Sequence, residues 1–264
     1  MQNALKALLF LLAIAGAGSW LGMLWLAPAA LAPEELAPAA VAKRLEKSDA
    51  SRKDKDLKAA AALLLPLAQN GNAEAQFRLG LVYREDEVMA LLKGKGHFGS
   101  APEDHETGGE WLLLAAKQGH LDAQAVLGIH YCWGVAGSTV ARAASPEGMA
   151  WLLKAANAGH VEAQRNLATT YRQGLCVTQD FAEAAKWFLR AAEQNDEWSM
   201  VSLSNMSKDG EGVPKDSIQS DVWAILAGLD KNMKRRNSLA PEVRAEVERR
   251  MKEWLEKHPG AHHE

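Results

Sequence analysis

Tryptophan recurs in phase along this chain, and little else constrains the fold as strongly. Trp111, Trp151, Trp187 and Trp223 are spaced by 40, 36 and 36 residues. Trp111 and Trp151 each stand eight residues before a glycine, Gly119 and Gly159, and Trp187 stands eight before Asn195. Small and apolar residues fill the interval: Trp111-Leu-Leu-Leu-Ala-Ala, Trp151-Leu-Leu-Lys-Ala-Ala, Trp187-Phe-Leu-Arg-Ala-Ala. Upstream, Leu63 to Gly71 keeps the spacing with leucine in place of tryptophan. A period of this length marks tandem supersecondary units, each unable to bury its apolar face without its neighbours.

A second series begins just after each of these glycines. Ala73-Glu-Ala-Gln leads to Leu79-Gly80 and Tyr83, Leu121-Asp-Ala-Gln to Leu127-Gly128 and Tyr131, and Val161-Glu-Ala-Gln to Leu167-Ala168 and Tyr171. The last copy keeps Leu203-Ser204 but has Ser207 in place of the tyrosine. Leucine and tyrosine four residues apart share one helical face. The small residue after each leucine implies a second helix crossing close by. Each unit is therefore an antiparallel pair. Helix A carries the Ala-Gln sequence and helix B the tryptophan. The glycine, or Asn195, ends helix B in the left-handed conformation. The tryptophans are expected to be core wedges.

The pattern predicts an all-α fold, a right-handed αα superhelix (solenoid) of about four helix-pair repeats. The boundaries fall at a partial helix over 57–71 and repeats over 73–119, 121–159, 161–195 and 197–231. A capping helix over 238–257 has Pro241 in its first turn and a stripe of Val243, Val247, Met251 and Trp254. Residues 258–264 are a tail. The A-to-B connection from about Arg84 to Gly109 is the longest and reads as a loop or insertion. The next, Gly134 to Pro146, is intermediate, and Lys208 to Asp216 is a compact turn.

Residues 1–33 form a separate expectation. Ala7 to Leu26 has no charged residue and would span roughly 30 Å as a helix, the depth of a bilayer core. Lys6 precedes it, and the next cation is Lys43. That asymmetry favours an N-terminus in the cytoplasm with the remainder outside. The length favours an uncleaved transmembrane anchor; a cleaved signal peptide is the alternative, with Ala27-Pro-Ala-Ala or Ala15-Gly-Ala as a cleavage site. Residues 34–56 read as a linker, stiff where alanine and proline dominate.

Little here points to catalysis. Lys and Arg number 30 against 33 Asp and Glu, a formal charge of -3, which does not suit a nucleic-acid surface. No nucleophile stands beside a base. Asp104-His105-Glu106 could touch a metal but reads better as a solvated loop, and His262-His263 as a free tail. His120 and His160 occupy matching positions, which marks them as features of the repeat. Cys132 and Cys176 are expected to be two separate thiols, with a disulfide as the alternative. No metal, cofactor or small-molecule substrate is expected. The candidate partner surface is the helix A stripe just before each leucine and tyrosine. It comprises Arg78 and Val82, Val126 and His130, Asn166 and Thr170, then Ser202 and Met206.

The combined pattern, Ala-x-x-x-Leu-Gly-x-x-Tyr, a glycine-containing loop, then Ala-x-x-Trp-x-x-x-Ala-Ala-x-x-Gly, resembles the Sel-one-like repeat, a relative of the tetratricopeptide repeat. Ala123 to Gly159 and Ala163 to Asn195 are the fullest copies, and Gly210-Glu-Gly-Val-Pro-Lys-Asp216 is similar to the family's turn. The resemblance implies a superhelix that binds a protein on its concave side. It also implies an adaptor role, which the N-terminal apolar segment would place in the bacterial cell envelope with the repeats in the periplasm. A periplasmic immunity protein against a secreted toxin is the alternative, and a cell-wall enzyme the alternative of another class.

Overall fold

The computed structural model describes residues 31–92, 102–133, 146–228 and 237–258. Among the described residues every regular element is a helix. In chain order these are α1 (Pro38–Lys53), α2 (Leu57–Gln69), α3 (Ala73–Leu92), α4 (Pro102–Lys117), α5 (Leu121–Trp133), α6 (Pro146–Asn157), α7 (Val161–Gln173), α8 (Phe181–Ala192), α9 (Glu197–Asp209), α10 (Ser217–Leu226) and α11 (Pro241–Lys257). From α1 to α10 each helix packs on the next, and α11 closes on α10. The four repeats are α3–α4, α5–α6, α7–α8 and α9–α10.

Two stretches read as irregular are helical. Residues 34–56 contain α1, which packs on α2 and turns the expected partial helix into a further complete pair. Alanine and proline there suggested a spacer. Pro38 instead occupies the first helical turn, where its missing N–H costs nothing, and Arg52 and Lys53 face the negative end of the helix dipole. Likewise α3 continues to Leu92 and α4 begins at Pro102, so helix takes up most of the expected insertion from Arg84 to Gly109.

Each junction between repeats uses the same local chemistry. Helix B ends at a residue of positive φ: Gly71 (85°), Gly119 (93°), Gly159 (89°) and Asn195 (67°). The next residue then caps helix A. Asn72 Oδ1, His120 Nδ1, His160 Nδ1 and Asp196 Oδ2 each accept the backbone N–H three residues on. Glycine after the helix A leucine is a matter of space. A Cβ on Gly80 would lie 2.7 Å from Leu112 Cγ, and one on Gly128 would lie 2.5 Å from Leu152 Cγ. Ser204 in the fourth repeat puts its hydroxyl to use instead, donating to the Ser220 carbonyl at 2.8 Å.

The core runs along the A–B interfaces, through Leu79, Leu112, Leu127, Leu152, Leu167, Phe188 and Leu203. Trp187 and Trp223 are buried in it. Trp111 and Trp151 are half-buried and pack on the clusters of the first two repeats. Trp254 of the capping helix meets Trp223 edge-on, ring centres 4.7 Å apart.

The cap is also tied electrostatically. Arg250 donates to Asp216 at 2.6 Å, and Asp216 caps α10 by accepting the Gln219 N–H. The guanidinium, with that N–H, holds the Asp216 carboxyl below the usual carboxylate range. Arg249 and Arg250 hold Glu246 down at about 2. A carboxyl depressed by folding stabilises the chain fully above its unfolded pKa, about 4. That contribution is lost as pH falls through the lowered folded value. Arg250→Gln is therefore expected to weaken the fold at neutral pH and to narrow its deficit against the wild type between about pH 5 and pH 2. Denaturant titrations over that range test this, and a deficit that stays constant refutes it.

Candidate functional site

The N-terminal ends of the A helices form one edge of the stack, and a row of polar side chains runs along it. His120 caps α5 through Nδ1, so the ring proton is on Nε2, which donates to Glu74 Oε2 at 2.8 Å. His160 repeats the arrangement on Asp122 Oδ1 at 2.9 Å. In the third repeat Arg165 takes over, bonding Asp196 at 2.7 Å and approaching Glu162 at 3.5 Å. Burial alone would raise the pKa of Glu74; its bonds from His120 and Arg78 outweigh that and lower it. The matching positions of His120 and His160 thus mark joints between repeats.

A second row lies behind the first. The glutamine of each Ala-Gln sequence is buried and donates to a carbonyl eight residues back. Gln76 bonds Ala68, Gln124 bonds Ala116 and Gln164 bonds Ala156. Its oxygen then accepts from the residue before the next left-handed turn: Gln118 donates to Gln76 at 2.7 Å, and Gln194 to Gln164 at 2.8 Å. In the second repeat that residue is Ala158, and Gln124 Oε1 is buried without a hydrogen-bond partner. Leaving a buried acceptor unpaired costs on the order of 1–3 kcal/mol. Ala158 is exposed, so a longer side chain has room. Ala158→Gln is expected to stabilise the chain by about 0.5–1.5 kcal/mol, read as a higher denaturant midpoint at unchanged slope. An unchanged or lower midpoint would show that the row does not contribute.

The expected partner stripe is mostly not a surface. Val82, Asn166, Thr170, Ser202 and Met206 are buried, Thr170 and Met206 completely. Thr170 and Ser202 bond carbonyls one turn back in their own helices. Arg78 is half-buried and reaches across to α1, bonding Asp49 at 2.5 Å and the Leu45 carbonyl at 3.2 Å. Val126 packs beside the second core cluster, and His130 is half-buried with its ring against Tyr131. Neighbouring helices cover the stripe, and in one case, α5 and α7, two A helices approach each other directly.

The structure exposes a different residue. Trp198, in the first turn of α9, is 61% exposed, more than any other large apolar side chain described. Its position in the repeat is that of Glu74, Asp122 and Glu162. The carboxylate row along the edge therefore ends in an indole. Sequence reasoning missed Trp198; the signal that marks it is its register with the three carboxylates.

Cys132 and Cys176 are joined as a disulfide, Cα atoms 5.2 Å apart, which overturns the expectation of two separate thiols. Stacking brings the end of α5 against the turn between α7 and α8, a proximity that residues 44 apart in sequence do not reveal. Among the described residues no three His, Cys, Asp or Glu side chains converge as a metal cage, and no helix is long and apolar enough to cross a membrane. Residues 1–30 and His262-His263 lie outside the described residues, as do the side chains of Asp104, His105 and Glu106.

Comparisons with known proteins agree with this architecture. The Sel1 repeat model matches residues 73–120, 121–160, 161–196 and 199–223, more than half of the chain. Among solved structures, the c5321 protective antigen of uropathogenic Escherichia coli strains, which displays an SLR fold, is 26% identical at a TM-score of 0.51. The match covers 84% of this chain and 54% of the antigen, so the chain spans about half the length of that relative. A Sel1 repeat protein from Oxalobacter formigenes is 26% identical at a TM-score of 0.42, over 50% of this chain and 94% of that one. No curated protein matches. Four matched repeats, in register with the observed helix pairs, place this chain in the Sel1 repeat family.

Proposed function

We propose that this chain is a protein-binding scaffold of the bacterial cell envelope and that its partner contacts the edge marked by Trp198. Sel1 repeats generally mediate protein–protein interaction, which supports a scaffold role. The observation that carries the finer reading is the exposed indole at a position where three other repeats carry a carboxylate. Tryptophan is enriched among the few residues that dominate binding energy at protein interfaces. The carboxylates beside it supply a polar rim. An envelope location is supported by the apolar segment Ala7 to Leu26 and by the Cys132–Cys176 bridge, since disulfides persist in oxidising compartments.

Photo-cross-linking in cells tests the reading. A benzophenone amino acid at position 198 is expected to trap a discrete protein that the same group at Lys186, exposed on α8, does not. Trp198→Glu restores the carboxylate of the other repeats. It should leave stability within about 0.5 kcal/mol while weakening capture at least roughly tenfold. Identical cross-linking patterns from positions 198 and 186 would exclude this edge as the binding site.

A further inference from the structure

The turns after α7 and α9 share one backbone design and differ at its second left-handed position. In each, a residue of positive φ ends helix A, Gly174 (71°) or Gly210 (82°). Leu175 N–H then returns to the Thr170 carbonyl, as Glu211 N–H does to Met206. Asp180 N–H closes the turn on Tyr171, as Asp216 N–H does on Ser207. Two residues past the first glycine a second left-handed position follows. The later turn fills it with Gly212 (φ 69°) and the earlier one with Cys176 (φ 62°). Side chains other than glycine avoid this region because Cβ crowds the backbone. Cys176 is held there while bonded to Cys132. Space has been cleared on the other side too: a Cβ on Gly148 would lie 2.9 Å from Cys132 Sγ.

We infer that the Cys132–Cys176 bridge is a redox-sensitive clamp on the junction between the second and third repeats. Reduction by a dithiol delivers two electrons and two protons to the bridge, giving two thiols, while the dithiol closes to its own disulfide. The half-buried Cys176 is the accessible side for attack, since Cys132 is 8% exposed. Once free, the Cys176 backbone has no covalent reason to stay left-handed. The turn then loosens, together with its grip on the end of α5. The rest of the stack keeps its own core and caps. This inference goes beyond the scaffold reading and holds whichever partner binds.

Hydrogen exchange of the whole chain, oxidised and then treated with dithiothreitol, tests it. Amides of Leu175 and Asp180 are expected to exchange roughly tenfold faster after reduction, the factor set by the left-handed penalty. Those of Glu211 and Asp216 in the glycine-bearing turn should be unchanged. Cys132→Ser with Cys176→Gly, which restores glycine at the left-handed position, should return the first pair toward oxidised rates without a bridge. Equal exchange before and after reduction overturns the clamp. So does loss of the helical signal as a whole, which would make the bridge a staple of the entire fold. Alkylation of both cysteines without reductant would show there is no bridge to open.

Discussion

Cys132→Ser combined with Cys176→Ser is expected to lower the stability of the oxidised chain by about 2–4 kcal/mol. A cross-link acts largely by restricting the unfolded chain, and its effect grows with the loop it closes. Here the bridged residues are 44 apart, between the 15-residue and 100-residue loops for which chain entropy gives about 3 and 4.7 kcal/mol. For a chain of this size the loss corresponds to a fall of about 5–15 °C in melting temperature. Adding reductant to the wild type should reproduce most of it, and adding it to the double variant should do nothing. A reductant effect on the variant would trace the change to something other than this bond.

Gly212→Ala should be comparably damaging for a different reason. A Cβ there would lie 2.1 Å from the Phe181 carbonyl oxygen and 2.7 Å from the Ala182 nitrogen. Both belong to the backbone at the start of α8 and cannot swing aside as a side chain would. Left-handed strain adds about 1–2 kcal/mol and overpacking about 1–3 kcal/mol, so about 2–5 kcal/mol is expected in sum. Gly159→Ala is the control: φ is 89°, but nothing lies within 4 Å of the added carbon. It should show the strain alone. Equal losses at the two positions would mean that the fourth turn does not press on the third repeat.

The features legible in the sequence are those that each repeat writes locally. The leucine and its small neighbour, the left-handed residue ending helix B and the tryptophan at fixed spacing all lie where the alignment placed them. What escaped depends on how one repeat meets the next. Val126 and Thr170 occupy equivalent stripes, but whether such a stripe faces a partner or another helix is decided by the tilt between repeats. No single repeat encodes that tilt. The same holds for Cys132 and Cys176. Helix α1 escaped for a local reason: Ala-Pro sequence suits both an extended spacer and a helix start, and only packing on α2 distinguishes them. Trp198 lies outside the series of tryptophans at fixed spacing, and its register is that of the carboxylates.

The bridge between Cys132 and Cys176 makes the intervening chain a closed ring. A protease that cuts once anywhere between those two residues severs the polypeptide without releasing a fragment. The nicked molecule keeps its full mass under denaturing conditions and separates into two pieces only after a reducing agent is added. Within that ring, extra residues near the connection from Trp133 to Pro146 would cost little, because the penalty for lengthening an already closed loop grows only with the logarithm of its length. The stretch between Cys132 and Cys176, which joins the second repeat to the third, can therefore take a nick and remain part of one molecule.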